Sequence, residues 1–264
     1  MECLHMSGAG NDFMVIDARG MELDFAKLAL QLCGQTGADG FMAVGESDIA
    51  DFRLHFYNSD GTRGEMCGNG ARCICKYAYD HGVAGAEMTV QTDAGLVKGW
   101  RLEEDRYKVQ LNNPGELILD MLDGVDYVEL GDPGVPHSVE EIPDLTWEQT
   151  EQRLPLALSR RNDPVFPKGV NVNFYRWVDE TTVRVLTYER GVEDYTLACG
   201  TGCASIGVSL WRRGKLPGGH LTALCRGGTL GITVSGTDGK VDTVLLEGPA
   251  EVLISYDLAL TALL

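Results

Sequence analysis

Two stretches of the chain repeat apolar residues at helical spacing, and a glycine closes each stretch. The first covers residues 68–82 and the second covers residues 200–214. The recurring apolar positions are Ala71, Ile74, Cys75 and Ala78 in the first stretch and Ala204, Val208 and Trp211 in the second. Intervals of three and four residues predict a helix in each stretch. Gly82 and Gly214 fit the position just after a helix end.

Runs of alternating or β-branched residues flank both predicted helices and predict strands. Around the first helix the runs are residues 52–57 and 88–92, and a turn of small residues follows at 93–95. Around the second helix the runs are residues 183–188 and 221–225, and a turn follows at 226–228. A further helix is predicted over residues 24–33, with Asp24 as its N-cap. The stretch 112–124 contains Asn-Asn-Pro-Gly and Leu-Asp-Gly, which predicts a crossing between two halves of the chain.

The two predicted helices begin with the same tetrapeptide pattern, Cys-Gly-x-Gly. Cys67 and Cys199 open the two copies, and 15 positions separate each cysteine from its closing glycine. A matched order of strand, Cys-Gly-x-Gly, helix, glycine and strand indicates an internal repeat. We therefore expect an α+β fold of two similar domains with the active site in the cleft between them. Residues 1–115 would carry Cys67 and residues 116–264 would carry Cys199, and a return of the C-terminal strand to the first domain stays open.

Composition narrows the class of protein and of partner. The 264 residues are 44% hydrophobic and 23% charged, with a formal net charge of -17. These fractions are ordinary for a globular protein, and the negative charge argues against a nucleic-acid or anionic-membrane partner. A small acidic substrate held by local donors remains compatible with that charge. The chain has no apolar run of membrane-spanning length and no signal-peptide pattern at its start, so we expect a cytoplasmic location.

The eight cysteines do not form a recognisable metal or disulfide pattern. No Cys-x-x-Cys pair is present, and no histidine stands at ligand spacing beside a cysteine cluster. We therefore expect thiols and no metal site. Cys33, Cys73, Cys75 and Cys225 are expected to be small core residues, and Cys203 to pack one helical turn after Cys199.

Two thiols in matched positions suit proton transfer on both faces of one carbon atom. Epimerisation of an amino acid needs a base on one face of the α-carbon and an acid on the other. A thiol serves both roles, because its reference pKa of about 8.5 is lowered at a helix N-terminus. The N–H groups at Gly68, Asn69, Gly200 and Thr201 would hold an α-carboxylate and stabilise the charge that develops next to it. Such a site requires no electron-sink cofactor.

The whole chain resembles the diaminopimelate epimerase family. The resemblance is carried by Ser-Gly-Ala-Gly-Asn-Asp-Phe at 7–13, Gly-Ala-Asp-Gly at 37–40, Asn-Ser-Asp-Gly at 58–61, Glu-Met-Cys-Gly-Asn-Gly-Ala-Arg-Cys at 65–73, Pro-His at 136–137, Val-Asn at 170–171, Glu-Arg-Gly at 189–191 and Ala-Cys-Gly-Thr-Gly at 198–202. It implies a pyridoxal-independent isomerase of lysine and peptidoglycan precursor biosynthesis that interconverts LL- and meso-diaminopimelate. It also implies two like domains, each a curved sheet wrapped around a central helix.

The same resemblance assigns roles to individual positions. It implies that Cys67 and Cys199 are the catalytic pair, that Gly68, Asn69, Gly200 and Thr201 bind the α-carboxylate, that Asn11, Asn58, Asn171, Glu189 and Arg190 bind substrate, and that His137 and Glu189 support proton transfer. Each side chain also has a structural alternative. Asn58 would build a turn, Glu189 and Arg190 would form a solvated ion pair, and His137 would be a satisfied core histidine.

Three positions depart from the family pattern. Val135 stands where many members have an asparagine that contacts substrate, Tyr195 stands where an acidic residue is common, and Cys203 replaces a frequent alanine. The first two leave a racemase of another amino acid, histidine for example, as the alternative function, with Tyr195 contacting that substrate. A non-enzymatic member of the fold and a thiol redox protein rank lower. The expected assembly for such enzymes is a homodimer, and other oligomeric states stay open.

Overall fold

The computed structural model describes residues 1–64, 67–131 and 134–258, and its chain divides into two units. The first unit contains Met1–Val109 and the chain from Glu247 onward, and the second contains Gln110–Leu246. The sequence predicted domains of 1–115 and 116–264. The structure places the first crossing earlier, within a strand after Val109, and the chain returns to the first unit after Leu246, which is the return of the C-terminal strand that the sequence left open.

The elements are numbered along the chain. In the described residues the strands are β1 Glu2–Gly8, β2 Asn11–Asp17, β3 Gly40–Gly45, β4 Phe52–Asn58, β5 Glu87–Thr92, β6 Gly95–Glu103, β7 Arg106–Leu111, β8 Pro114–Leu122, β9 Val125–Gly131, β10 Gly134–Glu141, β11 Asn171–Trp177, β12 Thr182–Glu189, β13 Asp194–Tyr195, β14 His220–Cys225, β15 Gly228–Thr237, β16 Lys240–Pro249 and β17 Glu251–Asp257. The α-helices are α1 Phe25–Thr36, α2 Gly68–Asp80, α3 Thr150–Arg161 and α4 Gly200–Arg212, and a 3₁₀ turn covers Trp147–Gln149.

The first unit is one mixed sheet with two helical crossovers. Its strands lie in the order β17-β1-β2-β3-β4-β5-β6-β7, with β2–β3 and β4–β5 parallel and the other pairs antiparallel. Parallel neighbours need a crossover connection, usually a helix. Helix α1 makes the first crossover and α2 makes the second.

The second unit repeats this arrangement. Its strands include the series β8-β9-β10-β11-β12-β14-β15, in which β10–β11 and β12–β14 are parallel and the other pairs antiparallel. Helix α3 connects the first parallel pair and α4 connects the second, while β13 adds a short bridge to β12. The internal sequence repeat is therefore a structural repeat, and the predicted α+β class with two similar domains is confirmed.

The helix that follows each Cys-Gly-x-Gly motif lies inside its sheet. Helix α2 packs against β1, β2, β3 and β6, and α4 packs against β9, β10, β11, β14 and β15. Strands from distant places in the sheet order can touch one helix only if the sheet curves around it. Residues 68–78 of α2 are all buried. The curved sheet around a central helix is thereby confirmed for each unit.

The predicted helix ends also agree with the structure. Gly82 and Gly214 follow α2 and α4 with φ of 65° and 71°, the left-handed conformation that glycine adopts without steric cost. Asp24 caps α1 by accepting a hydrogen bond from Lys27 N at 3.0 Å. The chain from each cysteine to the closing glycine is thus fixed at both ends.

Two segments differ from the sequence-based expectation. Residues 112–124, predicted as a crossing between halves, consist mainly of β8, which forms an antiparallel pair with β9. Helix α3 was not predicted, because Pro155 lies inside it and only Ala157 is buried. None of the helices in the described part of the chain combines the length and the hydropathy needed to span a membrane.

Candidate active site

The two motif cysteines hold the same place at the start of the central helices. Cys67 directly precedes α2 and Cys199 directly precedes α4, and both have extended backbone angles. The Cys67 carbonyl oxygen accepts from Ala71 N at 2.7 Å, and that of Cys199 accepts from Cys203 N at 3.0 Å. Each cysteine is therefore an N-cap residue, and its thiol lies at the positive end of a helix dipole, which favours a thiolate.

The predicted carboxylate cradle consists of the first two residues of each central helix, Gly68, Asn69, Gly200 and Thr201. An α-helix provides no internal acceptor for the N–H groups of its first turn, so such N-termini bind anions. The Gly202 N–H points back to the cysteine and donates to Cys199 Sγ at 3.4 Å. The Thr201 hydroxyl also lies 3.5 Å from that sulfur. The thiol and the cradle of the second unit are therefore built from one helical turn.

Asn11 lies beside Cys67. It begins β2 after a tight turn in which Ala9 and Gly10 have φ of 62° and 85°. The Cys67 thiol donates to Asn11 Oδ1 at 3.5 Å. The amide nitrogen of Asn11 donates to Asp39 Oδ2 at 2.5 Å, which sets the amide so that its oxygen faces the thiol. Asp39 belongs to the motif at 37–40, but no role was predicted for it from the sequence.

Asn58 ends β4, and its hydrogen bonds build a turn. Asn58 Nδ2 donates to Thr62 Oγ1 at 3.0 Å, and Asn58 N donates to Thr62 O at 2.8 Å. Asp60 closes the turn by accepting from Thr62 N at 2.9 Å. These bonds match the structural alternative for Asn58 and hold its exposed amide in one position at the strand end.

Three predicted side chains of the second unit share one row across neighbouring strands. His137 in β10 pairs with Asn171 in β11. The register Val172–Tyr188 between β11 and β12 brings Asn171 opposite Glu189 one position further. Residues paired across a sheet project their side chains to the same face. His137, Asn171 and Glu189 therefore share a face, although they are far apart in sequence.

The polar groups around this row are held by specific bonds. Asn171 Oδ1 accepts from Arg190 N at 2.8 Å, and Arg190 Nη1 donates to Lys168 O at 2.8 Å. Glu189 Oε1 accepts from Thr196 Oγ1 at 2.6 Å. The guanidinium of Arg190 thus binds a backbone carbonyl, and the carboxylate of Glu189 binds a hydroxyl.

His137 is fully buried, and one polar atom of the described residues lies within hydrogen-bond distance of its ring. Its Nδ1 lies 3.2 Å from Asn173 Nδ2. Burial, followed by the positive charge of Arg190, lowers the pKa of His137 to about 3, so the imidazole is neutral at physiological pH. Within the described residues its Nε2 has no hydrogen-bond partner. His137 is therefore not the satisfied core histidine of the structural alternative.

The positions that depart from the family pattern lie in different surroundings. Val135 is 38% exposed. Tyr195 is buried, and its ring meets Tyr188 edge-to-face with a centroid distance of 5.4 Å. The Tyr195 ring packs in the core, and its hydroxyl has no hydrogen-bond partner among the described residues, so the contact with a substrate stays a prediction. Cys203 is also buried, and its Sγ lies 3.4 Å from Cys225 Sγ, in keeping with a packing role.

Two further polar residues, Asn173 and Thr187, lie on the same face and were not predicted from the sequence. Thr187 Oγ1 donates to Asn173 Oδ1 at 3.1 Å, and both residues are buried. The Val-Asn-Val-Asn-Phe alternation around Asn173 was a signal for this face. Among the residues that the structure describes, no cluster of three or more His, Cys, Asp and Glu side chains has the arrangement of a metal site.

Comparisons with known proteins agree on one family. The family model "Diaminopimelate epimerase" matches residues 3–114 and 131–253. A diaminopimelate epimerase from Aquifex aeolicus is 37% identical over 247 residues, covering 86% of this chain and 88% of the relative. One from Alkaliphilus metalliredigens is 34% identical over 273 residues, covering 93% of each chain.

Solved structures with low sequence identity share the fold. A hydroxyproline epimerase from Agrobacterium vitis superposes with a TM-score of 0.69 at 15% identity, covering 98% of this chain and 91% of the other. A phenazine biosynthesis protein of the PhzF family from Enterococcus faecalis has a TM-score of 0.70 at 13% identity, covering 98% and 99%. At such identities the likeness extends to the fold alone.

Proposed function

Because the chain belongs to the diaminopimelate epimerase family, we propose that it interconverts LL- and meso-2,6-diaminopimelate by two-base proton transfer with Cys67 and Cys199. The reaction is an isomerisation in lysine and peptidoglycan precursor biosynthesis. The observation that carries the proposal is the repeated helix start, since each unit supplies one N-cap cysteine followed by glycine. One copy of this motif has many explanations, whereas two copies in like units match the two faces of one stereocentre.

Each turnover moves one proton off the α-carbon and another on. The thiolate of one cysteine removes the α-proton, and the thiol of the other donates a proton to the opposite face. The N–H groups at Gly68, Asn69, Gly200 and Thr201 hold the α-carboxylate and stabilise the negative charge that develops at the α-carbon. The proposed reaction uses no cofactor and no metal, because these donors take the place of an electron sink.

The remaining side chains have supporting roles in the proposal. Asn11, Asn58, Asn171, Glu189 and Arg190 bind the substrate, mainly at its distal amino-acid end. His137 and Glu189 support proton transfer at the cysteines. The hydrogen bond from the Cys67 thiol to Asn11 supports a role for Asn11 close to the reacting atoms. The neutral state of His137 supports a role as a hydrogen-bond donor rather than as a charge.

Exchange of the α-proton in heavy water tests this function directly. Reduced protein incubated with LL-diaminopimelate should incorporate deuterium at the α-carbon and form the meso isomer, followed by NMR. Cys67→Ala and Cys199→Ala should each lower epimerisation on the order of 10²-fold or more, because one face then lacks its acid or base. Cys33→Ala is the matched control, since Cys33 is a buried thiol of α1 and should leave the rate unchanged.

A panel of free amino acids, histidine among them, distinguishes a diaminopimelate epimerase from the alternative, a racemase of another amino acid. The departure at Val135, which is partly exposed, motivates this arm. Exchange with another amino acid and not with diaminopimelate would contradict the proposed substrate. Exchange with no amino acid at all would contradict the proposed activity.

A cytoplasmic location and a homodimer complete the proposal. Size-exclusion chromatography with light scattering of the reduced protein measures the assembly. A mass of one chain across micromolar concentrations would contradict the homodimer and would leave the chemistry of the site untouched.

A further inference from the structure

At two matching positions beside their central helices, the two units have side chains of different kinds, apolar in the first unit and polar in the second. The registers of β2, β3 and β4 and of β10, β11 and β12 align the units row by row. The rows are Phe13–Gly40–Asn58 and Val15–Met42–Phe56 in the first unit, and His137–Asn171–Glu189 and Val139–Asn173–Thr187 in the second. His137 thus corresponds to Phe13, and Asn173 corresponds to Met42.

The second glycine of each motif confirms this correspondence. A Cβ atom on Gly70 would lie 3.1 Å from Met42 Sδ, and one on Gly202 would lie 2.1 Å from Asn173 Oδ1. Met42 and Asn173 therefore support the first helical turn at the same point in the two units. The first unit shows that this fold packs well with apolar residues at both positions, so packing does not account for the polar pair of the second unit.

Asn173 is held in one orientation by its hydrogen bonds. Its Oδ1 accepts from Thr187 Oγ1 at 3.1 Å. Its Nδ2 donates to Ser138 O at 2.9 Å and to Asn171 O at 3.2 Å. A carbonyl oxygen only accepts, so the atom that faces these two carbonyls must be the NH₂ group. Turning the amide over would place its oxygen against these two carbonyls and lose both of their hydrogen bonds, whereas the Thr187 hydroxyl can either donate or accept.

This orientation decides which nitrogen of His137 carries the proton. The NH₂ group of Asn173 faces His137 Nδ1 at 3.2 Å and has no lone pair with which to accept. A proton on Nδ1 would therefore point at donor hydrogens, whereas an unprotonated Nδ1 shares one of them with a backbone carbonyl in a three-centre hydrogen bond. A neutral imidazole without a proton on Nδ1 carries it on Nε2.

The Nε2–H group that results is a buried donor. His137 has no exposed surface, and no described residue accepts a hydrogen bond from its Nε2. A buried donor without an acceptor is unfavourable by about 1–3 kcal/mol, and native proteins retain such groups mainly for a reason. The phenylalanine at the matching position of the first unit shows that the fold does not require one. An anionic acceptor that enters the site with the substrate, or forms there during turnover, would complete the bond.

We propose that Asn173 is a positioning residue for the epimerase reaction: it fixes His137 as the neutral Nε2–H tautomer, so that His137 donates a hydrogen bond to an anionic acceptor in the site. The inference rests on the proposed function for its catalytic consequence and on geometry alone for the tautomer. Asn173 touches the helix start at Gly202 and the ring of His137, and it acts on the reaction through these two groups.

Nitrogen-15 NMR of histidine-labelled protein at pH 7 tests the tautomer without turnover. The five histidines are His5, His55, His81, His137 and His220, and the loss of one signal set in His137→Gln assigns the ring of interest. In the wild-type protein His137 should show a protonated Nε2 and an unprotonated Nδ1. Protonation at Nδ1, or at both nitrogens, would overturn the inference, and this measurement needs no variant of Asn173.

Asn173→Asp reverses the hydrogen bond at almost constant shape. A carboxylate accepts instead of donating, so the His137 proton should move to Nδ1 and the NMR pattern should invert. The kcat for diaminopimelate should fall on the order of 10²-fold or more, with a much smaller change in KM, because the lost interaction forms mainly in the transition state. Ser138→Ala is the matched control, since Ser138 is a buried neighbour in β10 whose hydroxyl has no partner among the described residues.

The two results separate the inference from the proposed function. An unchanged tautomer or an unchanged kcat in Asn173→Asp, with Ser138→Ala like wild type, would overturn the positioning role while the epimerase activity stands. A wild-type protein that exchanges no α-proton would contradict the function, while the tautomer measurement would still decide whether Asn173 sets the state of His137.

Discussion

At the scale of single residues, the second glycine of each motif is a point where a central helix lies close to its sheet. A Cβ at Gly202 would lie 2.1 Å from Asn173 Oδ1, and that amide is tied to Thr187 and to backbone carbonyls. A Cβ at Gly70 would lie 3.1 Å from Met42 Sδ, the end of a flexible side chain. The same substitution should therefore have unequal effects in the two units.

We expect Gly202→Ala to reduce kcat on the order of 10²-fold, because it displaces the helix start that carries Cys199. It should also lower the free energy of unfolding by about 1–3 kcal/mol, the usual effect of overpacking a core. Gly70→Ala should change the free energy of unfolding by less than about 1 kcal/mol. Steady-state kinetics and urea denaturation of both variants measure the difference, and equal effects would contradict the unequal packing.

The buried imidazole of His137 makes stability depend on pH. Burial and the charge of Arg190 lower its pKa to about 3 from the ordinary value of 6.5. Below pH 6.5 the unfolded chain binds a proton that the folded protein excludes, so folded stability falls by about 1.4 kcal/mol for each pH unit down to about 3. At higher pH neither state binds this proton, and the effect vanishes.

Denaturation of wild type and His137→Gln at pH 6.5 and pH 5 measures this contribution. The wild type should lose about 2 kcal/mol more than the variant over this interval. The pKa of His55 is also lowered by burial, but His55 is present in both proteins and cancels in the comparison. A difference between the two proteins that stays constant with pH would contradict the neutral, buried state of His137.

The candidate site residues that could be predicted from the sequence differ physically from those that could not. Cys67 and Cys199 were identifiable because the repeat marks them twice and a helix start follows each. Asn173 was not, because alternating polar residues in a strand look the same whether they face solvent or a helix. Only the structure showed that α4 packs against β11, and hence that Asn173 faces a helix and not solvent.

At the scale of elements, α2 contains a buried arginine that ties its first turn to the C-terminal part of the chain. Arg72 has no exposed surface and donates to Gly68 O at 3.2 Å, to Asn69 Oδ1 at 3.1 Å and to Pro249 O at 3.2 Å. In α4 the residue at the same distance from the motif cysteine is Ala204. The first unit thus stabilises its helix start by a guanidinium, where the second unit uses packing.

Arg72→Met should lower the free energy of unfolding by about 3 kcal/mol or more, because two buried acceptors and one partly buried acceptor each lose a donor. Lys76→Met is the matched control on the same helix. Lys76 binds Asp80 and Asp105, whose side chains are 38% and 58% exposed, so solvent replaces its bonds and the loss should stay near 1 kcal/mol. Guanidinium denaturation of both variants measures this, and an Arg72→Met protein as stable as Lys76→Met would refute the bracing role.

The elements that the sequence predicted are those with one strong signal each. The helices α1, α2 and α4 have an apolar face together with an N-cap residue or a closing glycine. Helix α3 lacks that signal, since Ala157 is its one buried residue and Pro155 interrupts the pattern. The turn residues in 112–124 lie at the two ends of a hairpin strand and not in a linker. Pro114 is the first residue of that strand, β8.

At the scale of the whole molecule, the first unit is discontinuous in sequence. The chain leaves it after Val109 and returns at Glu247, and β17 then pairs with β1. The N-terminal amine donates to Leu258 O at 2.8 Å. The two ends of the described chain are therefore adjacent, and the order of the segments is not fixed by the fold.

A circular permutant tests this freedom. Leu258 would be joined to Met1 by a short glycine-serine linker in place of residues 259–264, and the chain would be opened between Asp238 and Gly239. These two residues form the turn between β15 and β16 and have φ of 51° and 76°. We expect a folded protein with most of the wild-type proton-exchange activity, because a cut in an exposed turn breaks few contacts.

The matched control permutant is opened between Val172 and Asn173, inside β11. Both residues are buried and the strand pairs on both sides, so this protein should fail to fold. Circular dichroism and α-proton exchange compare the two proteins. Loss of structure in the Asp238–Gly239 permutant would show that segment order matters more than the adjacent termini suggest.

The difference between the apolar residues of the first unit and the polar residues of the second at the matching positions has a consequence for how variants would be selected in the laboratory. By the proposal above, His137 and Asn173 serve the reaction in the second unit at a cost in stability that Phe13 and Met42 avoid in the first unit. A laboratory search that rewards only resistance to heat would tend to copy the first half into the second at these two positions. The selected proteins would be more stable to heat and would no longer turn over substrate. The positions that change would then mark where stability has been given up for activity.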